Sequence, residues 1–412
     1  MWTASFASNV GSWMQNVVLP VYVLNRTDNN TLVGLVAFAQ LGPLLFLSIP
    51  AGVIADRFDR RKWLIAMQLV QLAFSALLAP LVATDAPMWS IFVVALGVGA
   101  GNALNAPAWS AMLPTLVAIE DLPGAVSLNS AMINGSRVIG PILVVLLRSI
   151  GASIAEIFII NAITYLFVVF ALIRTTVPMP SGTGSRLTGW RQLTSGLQVA
   201  RSHKVAGRLL VSLFTFSLIS LPYIGFFAVV ARDNFGVERG STSYEWLYAT
   251  WGLGACFGGL AIGTVFVRWD KRKLIRHGFF GFAITLAAFA LARTMWQALV
   301  TGAFLGFAYF ATTTSMSTVL QTRIADGERG RVMALWFMAF GGTVPLGTLL
   351  FTPMFDAVGA RWLLLVGAAW ALVLARWCDI ERLDRSAHKV RNKALEADHA
   401  TSFDEHGYSA GQ

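Results

Sequence analysis

Arg137 is the residue with the most specific chemistry in this 412-residue sequence, because it stands well inside a long apolar stretch, 125–149. If that stretch crosses a membrane, an isolated arginine there costs about 2.5–3.5 kcal/mol, so it needs partners or water. Asn134 and Pro141 lie at i−3 and i+4 and share its helix face. Arg137 either anchors a substrate anion or couples two parts of the protein, or it is a structural residue satisfied by backbone carbonyls near a helix break. The sequence leaves both interpretations open.

Amide and aromatic side chains interrupt other apolar stretches at helical spacing. Polar groups inside a membrane span are costly and usually face a cavity or a neighbouring helix, so each set is either interhelical glue or cavity lining. We predict that they line a cavity for a small amphipathic molecule, with Trp13 and Phe310 adding aromatic surface. The predicted lining consists of Gln15, Asn16, Asn102, Asn105, Trp109, Asn134, Arg137, Asn161 and Tyr165.

Carboxylates are absent from the middle of every apolar stretch, although proton coupling normally needs a buried acid or histidine. The remaining candidates are Asp56, Glu156 and Glu245, all at the ends of stretches. We find no HExxH motif and no paired intramembrane carboxylates, so we predict no catalytic residues and no enzyme activity. A G-x-x-x-x-G-K-[ST] loop is also missing, which excludes a nucleotide-driven pump. No metal or cofactor site is predicted.

The composition predicts the elements that position these residues. Hydrophobic residues make up 56% of the sequence and charged residues 13%, whereas roughly 25% of a soluble protein is charged. A soluble enzyme, a disulfide scaffold and a disordered protein are thereby excluded. Twelve apolar stretches of membrane-spanning length are predicted near residues 2–24, 32–55, 63–83, 89–113, 125–149, 155–174, 208–231, 246–267, 274–292, 295–320, 332–355 and 361–378.

The twelve stretches form two groups of six, separated by a polar break. The predicted fold is an all-α polytopic membrane protein, with twelve transmembrane helices in two pseudo-symmetric six-helix bundles. A constant offset of 207 residues sets Gly52 on Gly259 and Gly140 on Gly347, which is typical of the internal repeats of secondary transporters. The predicted parts are a first bundle 1–174, a basic cytoplasmic linker 175–207, a second bundle 208–378 and a polar cytoplasmic tail 379–412.

The distribution of basic residues predicts the orientation. With a cytoplasmic N-terminus, 24 of the 31 Lys and Arg residues fall in cytoplasmic segments and 6 in external ones, so both termini are predicted to be cytoplasmic. The net charge of +10 is explained in this way and does not indicate nucleic acid. In the linker, Trp190, Leu193 and Leu197 recur at roughly helical spacing. The linker is either a plain basic connection that follows the positive-inside rule or an amphipathic helix on anionic headgroups.

The segment GVIADRFDRRK joins the second and third stretches. Its residues Gly52, Asp56, Arg57, Arg60 and Arg61 fit G-x-x-x-D-R-x-x-R-R, which resembles motif A of the major facilitator superfamily. Gly52 permits close helix approach, and Asp56 is placed to accept charge-assisted hydrogen bonds from across the gap. We expect Arg60 and Arg61 to hold the turn against lipid headgroups. Such a contact would close the cytoplasmic side and release when the halves move.

Further segments narrow the resemblance. GSWMQ, NAPAWSAMLPTLV and EDLPGAVSLNSAMINGSRVIGP are similar to the drug and siderophore efflux branch of that superfamily. This resemblance implies a monomeric transporter in the plasma (inner) membrane that exports small amphipathic compounds, drug-like molecules or siderophores, by alternating access and proton antiport. Gly140 and Pro141 match the antiporter motif, but Ile142–Val145 replace the glycines expected next. A lipid transporter on the same fold and a non-transporting receptor are the alternative interpretations.

Overall fold

The computed structural model describes residues 1–47, 50–51, 58–112, 116–118, 121–175, 190–237, 243–324 and 326–382. These residues are mostly helical and contain no strand. The α-helices are α1 (Trp2–Thr27), α2 (Asn30–Leu41), α3 (Arg60–Ala83), α4 (Met88–Met112), α5 (Leu122–Ser149), α6 (Ile154–Arg174), α7 (Trp190–Ser202), α8 (Lys204–Thr215), α9 (Phe227–Phe235), α10 (Ser243–Gly263), α11 (Lys271–Leu291), α12 (Met295–Arg323), α13 (Asp326–Phe337), α14 (Thr343–Val358) and α15 (Ala360–Trp377).

Eight described helical segments are long and apolar enough to cross a membrane, judged by length and composition alone. They are Asn30–Leu47, Arg60–Ala83, Met88–Ser110, Ile154–Arg174, Lys271–Leu291, Met295–Arg323, Leu335–Met354 and Ala360–Arg382. The other predicted stretches also hold helices, namely α1, α5, α8 with α9, and α10. The chain is therefore an all-helical protein with several candidate membrane helices.

The seventh apolar stretch is broken, although its pattern predicts one continuous span over 208–231. A π-helical turn, Phe216–Ser220, follows α8, and a 3₁₀ turn, Pro222–Ile224, precedes α9. Proline has no backbone N–H, and its ring clashes with the carbonyl four residues earlier, so it kinks or breaks an α-helix. Here Pro222 closely follows the π-helical turn, and the two together divide the stretch without changing its hydrophobicity.

Side chains and carbonyls of neighbouring helices occupy this break. Ser220 Oγ donates a hydrogen bond of 2.8 Å to the backbone oxygen of Gly367 on α15. Thr348 Oγ1 on α14 lies 3.4 Å from the backbone oxygen of Pro222 and donates to it. Irregular backbone is tolerated at membrane depth only where such partners exist.

Each half packs its own helices closely. In the first half α1 contacts α5 and α6, and α3 contacts α4 and α6. In the second half α10 and α11 both pack on α12, and α11 packs on α15. Gly254 and Gly306 allow the close contact of α10 with α12, because a Cβ at either residue would run into backbone atoms of the other helix. Close approach at small residues is how membrane helices associate.

Among the described residues, the two halves meet mainly through two helix pairs, α5 with α10 and α2 with α14, and through a smaller contact of α1 with α9. At the first pair, a Cβ on Gly252 would lie 3.0 Å from the backbone oxygen of Arg137. At the second pair, a Cβ on Gly34 would run into the side chain of Thr352. Glycine therefore lets the backbones approach at both helix pairs.

Corresponding aspartates begin α3 and α11. Asp59 accepts hydrogen bonds from the backbone N–H groups of Arg61 at 2.9 Å and Lys62 at 3.1 Å. Asp270 accepts one from the backbone N–H of Arg272 at 2.9 Å, and its side-chain hydrogen bonds with Arg272 hold the pKa of Asp270 below its usual range. Helices α3 and α11 therefore begin with the same kind of N-cap.

Candidate functional site

Arg137 lies on α5 at the contact between the halves. Its guanidinium carbon is 5.1 Å from the ring centroid of Trp13 on α1 and 4.8 Å from that of Phe310 on α12. A guanidinium over aromatic faces gains about 2 kcal/mol when the pair is desolvated. Its Nε has no hydrogen-bond partner among the described residues. Arg137 is therefore a cation between one aromatic ring from each half, and its Nε–H can still donate a hydrogen bond to a ligand.

Aromatic side chains of the second half continue from this point. The Tyr248 ring centroid on α10 lies 6.4 Å from that of Trp13. Trp251 stacks on Tyr309 at 6.0 Å, and its indole N–H donates to the hydroxyl of Tyr223 at 3.0 Å. These rings, apart from the partly exposed Trp13, are at most 5% exposed, so they form a rigid aromatic wall beside Arg137.

Two predicted cavity residues, Gln15 and Asn161, lie instead in the packed interior of the first half, where they bond Ser75. Gln15 Oε1 accepts hydrogen bonds from Ser75 Oγ at 2.7 Å and from Asn161 Nδ2 at 2.8 Å. Asn161 Nδ2 also donates to Ser75 Oγ at 3.1 Å. All three side chains are at most 1% exposed. We call this set the Gln15 cluster; it ties α1, α3 and α6 together.

Tyr165 follows the same pattern, because it is 2% exposed and its hydroxyl lies 3.0 Å from Ser12 Oγ on α1. The prediction that Gln15, Asn161 and Tyr165 line an open cavity therefore differs from the structure, in which their polar atoms bond neighbouring helices. Helical spacing alone does not distinguish these two roles, since both need a polar face that points away from lipid.

The other predicted lining residues are less enclosed. Asn16, Asn102, Asn105 and Trp109 are each partly exposed. Asn105 Oδ1 accepts a hydrogen bond of 3.4 Å from Gln68 Nε2. The indole N–H of Trp109 donates to Asn129 Oδ1 at 3.0 Å, which links α4 to α5. Asn134 lies on α5, and its side chain is outside the described part of the structure.

The motif A segment is described only in part. Gly52, Asp56 and Arg57 lie outside the described residues, while Arg60 begins α3 and is partly buried. Arg61 Nε donates a 2.7 Å hydrogen bond to the backbone oxygen of Leu172, and the same guanidinium also bonds the backbone oxygen of Ile173. The expectation that Arg61 contacts lipid headgroups differs from this structure.

Arg61 instead satisfies carbonyls at the C-terminal end of α6. The last four carbonyls of a helix have no partner within it, and cations are favoured there. Arg61, in the first turn of α3, therefore fixes the end of the sixth helix of the first half. The sequence could have predicted this contact, because α6 is predicted to end near the same membrane surface as the segment that contains Arg61.

The described acids differ sharply in environment. Glu156 is exposed and forms a capping box at the start of α6, accepting from the Ser153 backbone N–H at 2.6 Å and from its hydroxyl at 2.9 Å. Glu245, in the first turn of α10, is 1% exposed, and its Oε2 has no hydrogen-bond partner among the described residues. A buried carboxyl with an unsatisfied oxygen is costly when charged, which sets Glu245 apart from the exposed, hydrogen-bonded Glu156.

Arg232 connects the halves at the predicted external end, a contact that sequence reasoning missed. Its Nη1 lies 2.5 Å from Asp28 Oδ1, and its Nη2 donates to Asn30 Oδ1 at 3.1 Å. Its Nε also donates to the neighbouring Asp233 at 2.7 Å. Asp28, between α1 and α2, has φ 50°, a left-handed conformation that aspartate tolerates better than most residues. We call the bonds of Arg232 to Asp28 and Asn30 the Arg232 latch.

Metal ligation has no support in the described residues, where no three His, Cys, Asp or Glu side chains form a group that could hold an ion. The described structure thus contains an arginine between aromatic rings of both halves (Arg137), buried aromatic side chains beside it, a buried carboxyl (Glu245) and the Arg232 latch. This combination in an all-helical bundle is typical of a membrane transporter.

Comparison with known proteins identifies the family. The model of the transmembrane secretion effector family matches residues 1–405, and the chain belongs to that family of major facilitator superfamily transporters. It is a multi-pass membrane transporter and not an enzyme.

Relatives with efflux names cover nearly the whole chain. Macrolide efflux protein A of Streptococcus pyogenes is 25% identical over 405 residues, which are 93% of this chain and 96% of the relative. The staphyloferrin A transporter of Staphylococcus aureus is 24% identical, covering 97% of this chain and 98% of its own length. The enterobactin exporter EntS of Shigella boydii is 25% identical and covers 90% of each.

Solved structures support the fold. A bacterial homolog of the human lysosomal transporter Spinster, inward-facing and unoccupied, superimposes with a TM-score of 0.69 at 15% identity, covering 92% of this chain and 95% of that one. A POT family transporter reaches a TM-score of 0.72 at 11% identity, covering 91% and 93%. At these identities the likeness concerns the fold alone.

Proposed function

We propose that this protein is a secondary exporter of small amphipathic compounds that works by alternating access and proton antiport. In this proposal it has twelve membrane spans and cytoplasmic termini. A first bundle, 1–174, and a second bundle, 208–378, are joined by the linker 175–207 and followed by the tail 379–412. It acts as a monomer in the plasma (inner) membrane. The efflux names of relatives that match nearly the full chain support this function.

The single observation that carries the substrate proposal is the position of Arg137. Its guanidinium lies between Trp13 of the first half and Phe310 of the second, so a ligand at Arg137 touches both halves. A fixed cation with an unpaired Nε favours anionic or neutral amphipathic compounds over cationic drugs. Siderophore exporters are therefore better models for the substrate than exporters of cations. Asn16, Asn102, Asn105, Trp109 and Asn134 are proposed to extend the site.

Alternating access requires that the halves separate at one end and join at the other. At the proposed external end, the Arg232 latch holds the halves together. At the opposite end we propose that Gly52, Asp56, Arg57, Arg60 and Arg61 form the gate, with Arg61 holding the end of α6. The two contacts would alternate, so that one is formed when the other is broken.

Glu245 is the proposed proton carrier. Its carboxyl is enclosed while the latch is formed, and it lies on α10, one of the helices that joins the halves. A carboxyl that is buried in one state and hydrated in the other takes up and releases a proton. Glu156 is already engaged in its capping box, and Asp56 remains a candidate at the gate.

Substrate accumulation in cells that lack their own exporters tests the proposal. Catecholates, macrolides and cationic dyes are compared with and without a protonophore, for the parental protein and for Arg137→Leu. We expect the parental protein to lower catecholate accumulation, and both the variant and the protonophore to abolish that effect. Arg268→Leu, which changes an exposed arginine, serves as the matched control.

Each part of the proposal has its own refutation. Equal accumulation with and without the protein, for all three compound classes, would rule out the exporter. Export that persists under the protonophore would rule out only the antiport. An Arg137→Leu protein that inserts normally and exports at the parental rate would rule out the role of Arg137.

A further inference from the structure

The linker segment forms a helix, α7, that docks on the second half of the protein. Val199 and Ala200 on α7 are 7% and 4% exposed, and the helix packs on α13. A cavity of about 740 Å³ lies beside it. The cavity is bounded by α7, α8, the π-helical turn Met338–Gly342 before α14, and Leu45 at the end of the second apolar segment.

Apolar side chains form most of the wall. Val211 and Phe214 on α8 line the cavity and are 50% and 43% exposed, and Leu335 and Met338 line it as well. Large apolar side chains left open in one contiguous patch mark a surface that another apolar molecule covers. Because α8 opens the seventh apolar stretch, this patch is at the level where a bilayer begins.

Among the described residues that line the same cavity, three are cations and none is acidic. Arg208 stacks on the Trp377 ring at 4.9 Å and donates to the Trp377 backbone oxygen at 3.1 Å, which fixes its position. Arg201 and Lys204 are exposed, and neither forms an ion pair within the described part of the chain.

The nearby acids are engaged elsewhere. Glu328 Oε2 lies 3.6 Å from His203 Nε2, and Asp379 Oδ2 lies 3.3 Å from Arg276 Nη1. The cationic border therefore has no described counter-ion of its own. A fixed arginine with two exposed cations beside an apolar wall matches the two parts of an anionic phospholipid, a phosphate and an acyl chain.

We propose that this cavity binds an anionic phospholipid. The phosphate lies among Arg201, Lys204 and Arg208, and an acyl chain runs along Val211 and Phe214. Such a lipid would bridge α7 to α8 and so hold the linker on the second half. The proposal does not depend on the transported substrate, so it stands or falls separately from the exporter function.

Lipid binding to the purified full-length protein in neutral detergent tests this site, with native mass spectrometry as the readout. Phosphatidylglycerol is compared with phosphatidylcholine of identical acyl chains, for the parental protein and for Arg201→Gln/Lys204→Gln. The two changed side chains are exposed, so the variant retains the Arg208 packing. Lys62→Gln/Arg268→Gln removes two exposed cations, one in the first turn of α3 and one between α10 and α11, and serves as the control.

We expect the parental protein to bind phosphatidylglycerol at least tenfold more tightly than phosphatidylcholine. The cavity variant should lose this preference, while the control keeps it. Equal affinity for the two lipids, or equal losses in the variant and the control, would overturn the proposal. Glycerol phosphate, the soluble headgroup, is the remaining probe. If it binds as tightly as the lipid, the cavity is an anion site without a lipid, and the proposal is wrong.

Discussion

Removal of the Arg232 latch tests the alternating-access proposal most directly. Arg232→Ala deletes the bonds to Asp28 and Asn30, which join the halves at one end only. The Arg232 side chain is 27% exposed and that of Asp28 58%, so the pair is screened and contributes about 1 kcal/mol at most. Because 1.4 kcal/mol changes an equilibrium tenfold, we expect up to a roughly fivefold rise in the ratio of externally open to externally closed protein.

Electron spin resonance between two labels measures that ratio. Labels at Thr84→Cys and Leu291→Cys report on the two halves near the external end, because both residues are exposed and adjoin the ends of α3 and α11. Cys256 is partly exposed and is replaced by serine, while Cys378 is buried and is left unlabelled. A longer distance population in the latch variant is the expected result.

Ionic strength supplies a second signature. Salt screens an exposed ion pair, so high salt should move the parental protein toward the distribution of the variant and leave the variant unchanged. Arg293→Ala removes an exposed arginine before α12 that makes no described contact with the first half, and should not alter the distribution. If Arg232→Ala behaves like Arg293→Ala, or shifts the population toward the closed state, the latch does not hold the external end.

Three further outcomes are expected. Asn161→Ala, which breaks the Gln15 cluster, should lower the free energy of unfolding by about 1–2 kcal/mol in thermal denaturation. Hydrogen bonds between membrane helices average about 0.6 kcal/mol each and reach about 1.7. Unchanged stability would contradict the stabilising role of the cluster. Arg61→Ala should accelerate hydrogen exchange at the end of α6, while Lys62→Ala should not. Glu245→Gln should make efflux from proteoliposomes insensitive to an imposed pH gradient, and Glu156→Gln should retain the dependence; the reverse pattern would exclude Glu245 as the carrier.

Residues that are costly to place in a membrane were the easiest functional candidates to recognise from the sequence. Arg137 stands out because a cation in an apolar stretch needs special surroundings, and the structure supplies Trp13 and Phe310. The helix positions followed from apolar length, with the exception of the seventh stretch and of the eleventh, which the π-helical turn Met338–Gly342 divides between α13 and α14. Hydropathy does not register the π-helical turn Phe216–Ser220, since a local change in the hydrogen-bond ladder leaves composition unaltered.

Pairwise partners were harder to predict, because they depend on which helices are neighbours. Gln15 and Asn161 are 146 positions apart, yet Asn161 Nδ2 lies 2.8 Å from Gln15 Oε1. No pattern in either stretch predicts that the two residues are partners. The capping role of Glu156 was readable from Ser153 three residues earlier, since S-x-x-E is the capping-box pattern. Arg61 and Arg232 were recognised as charged residues, but their hydrogen-bond partners lie on distant segments of the chain.

In the alternating-access proposal, the break in the seventh stretch determines how much of the protein moves when the proposed external end opens. The Ser220 hydrogen bond to Gly367 anchors the break itself, whereas Arg232 lies beyond the break on the nine-residue helix α9. Because the ladder between these parts is interrupted, strain at the latch is not transmitted along one rigid rod. If the halves alternate as proposed, we therefore expect α9 to tilt at the proposed external end without movement of the whole seventh stretch.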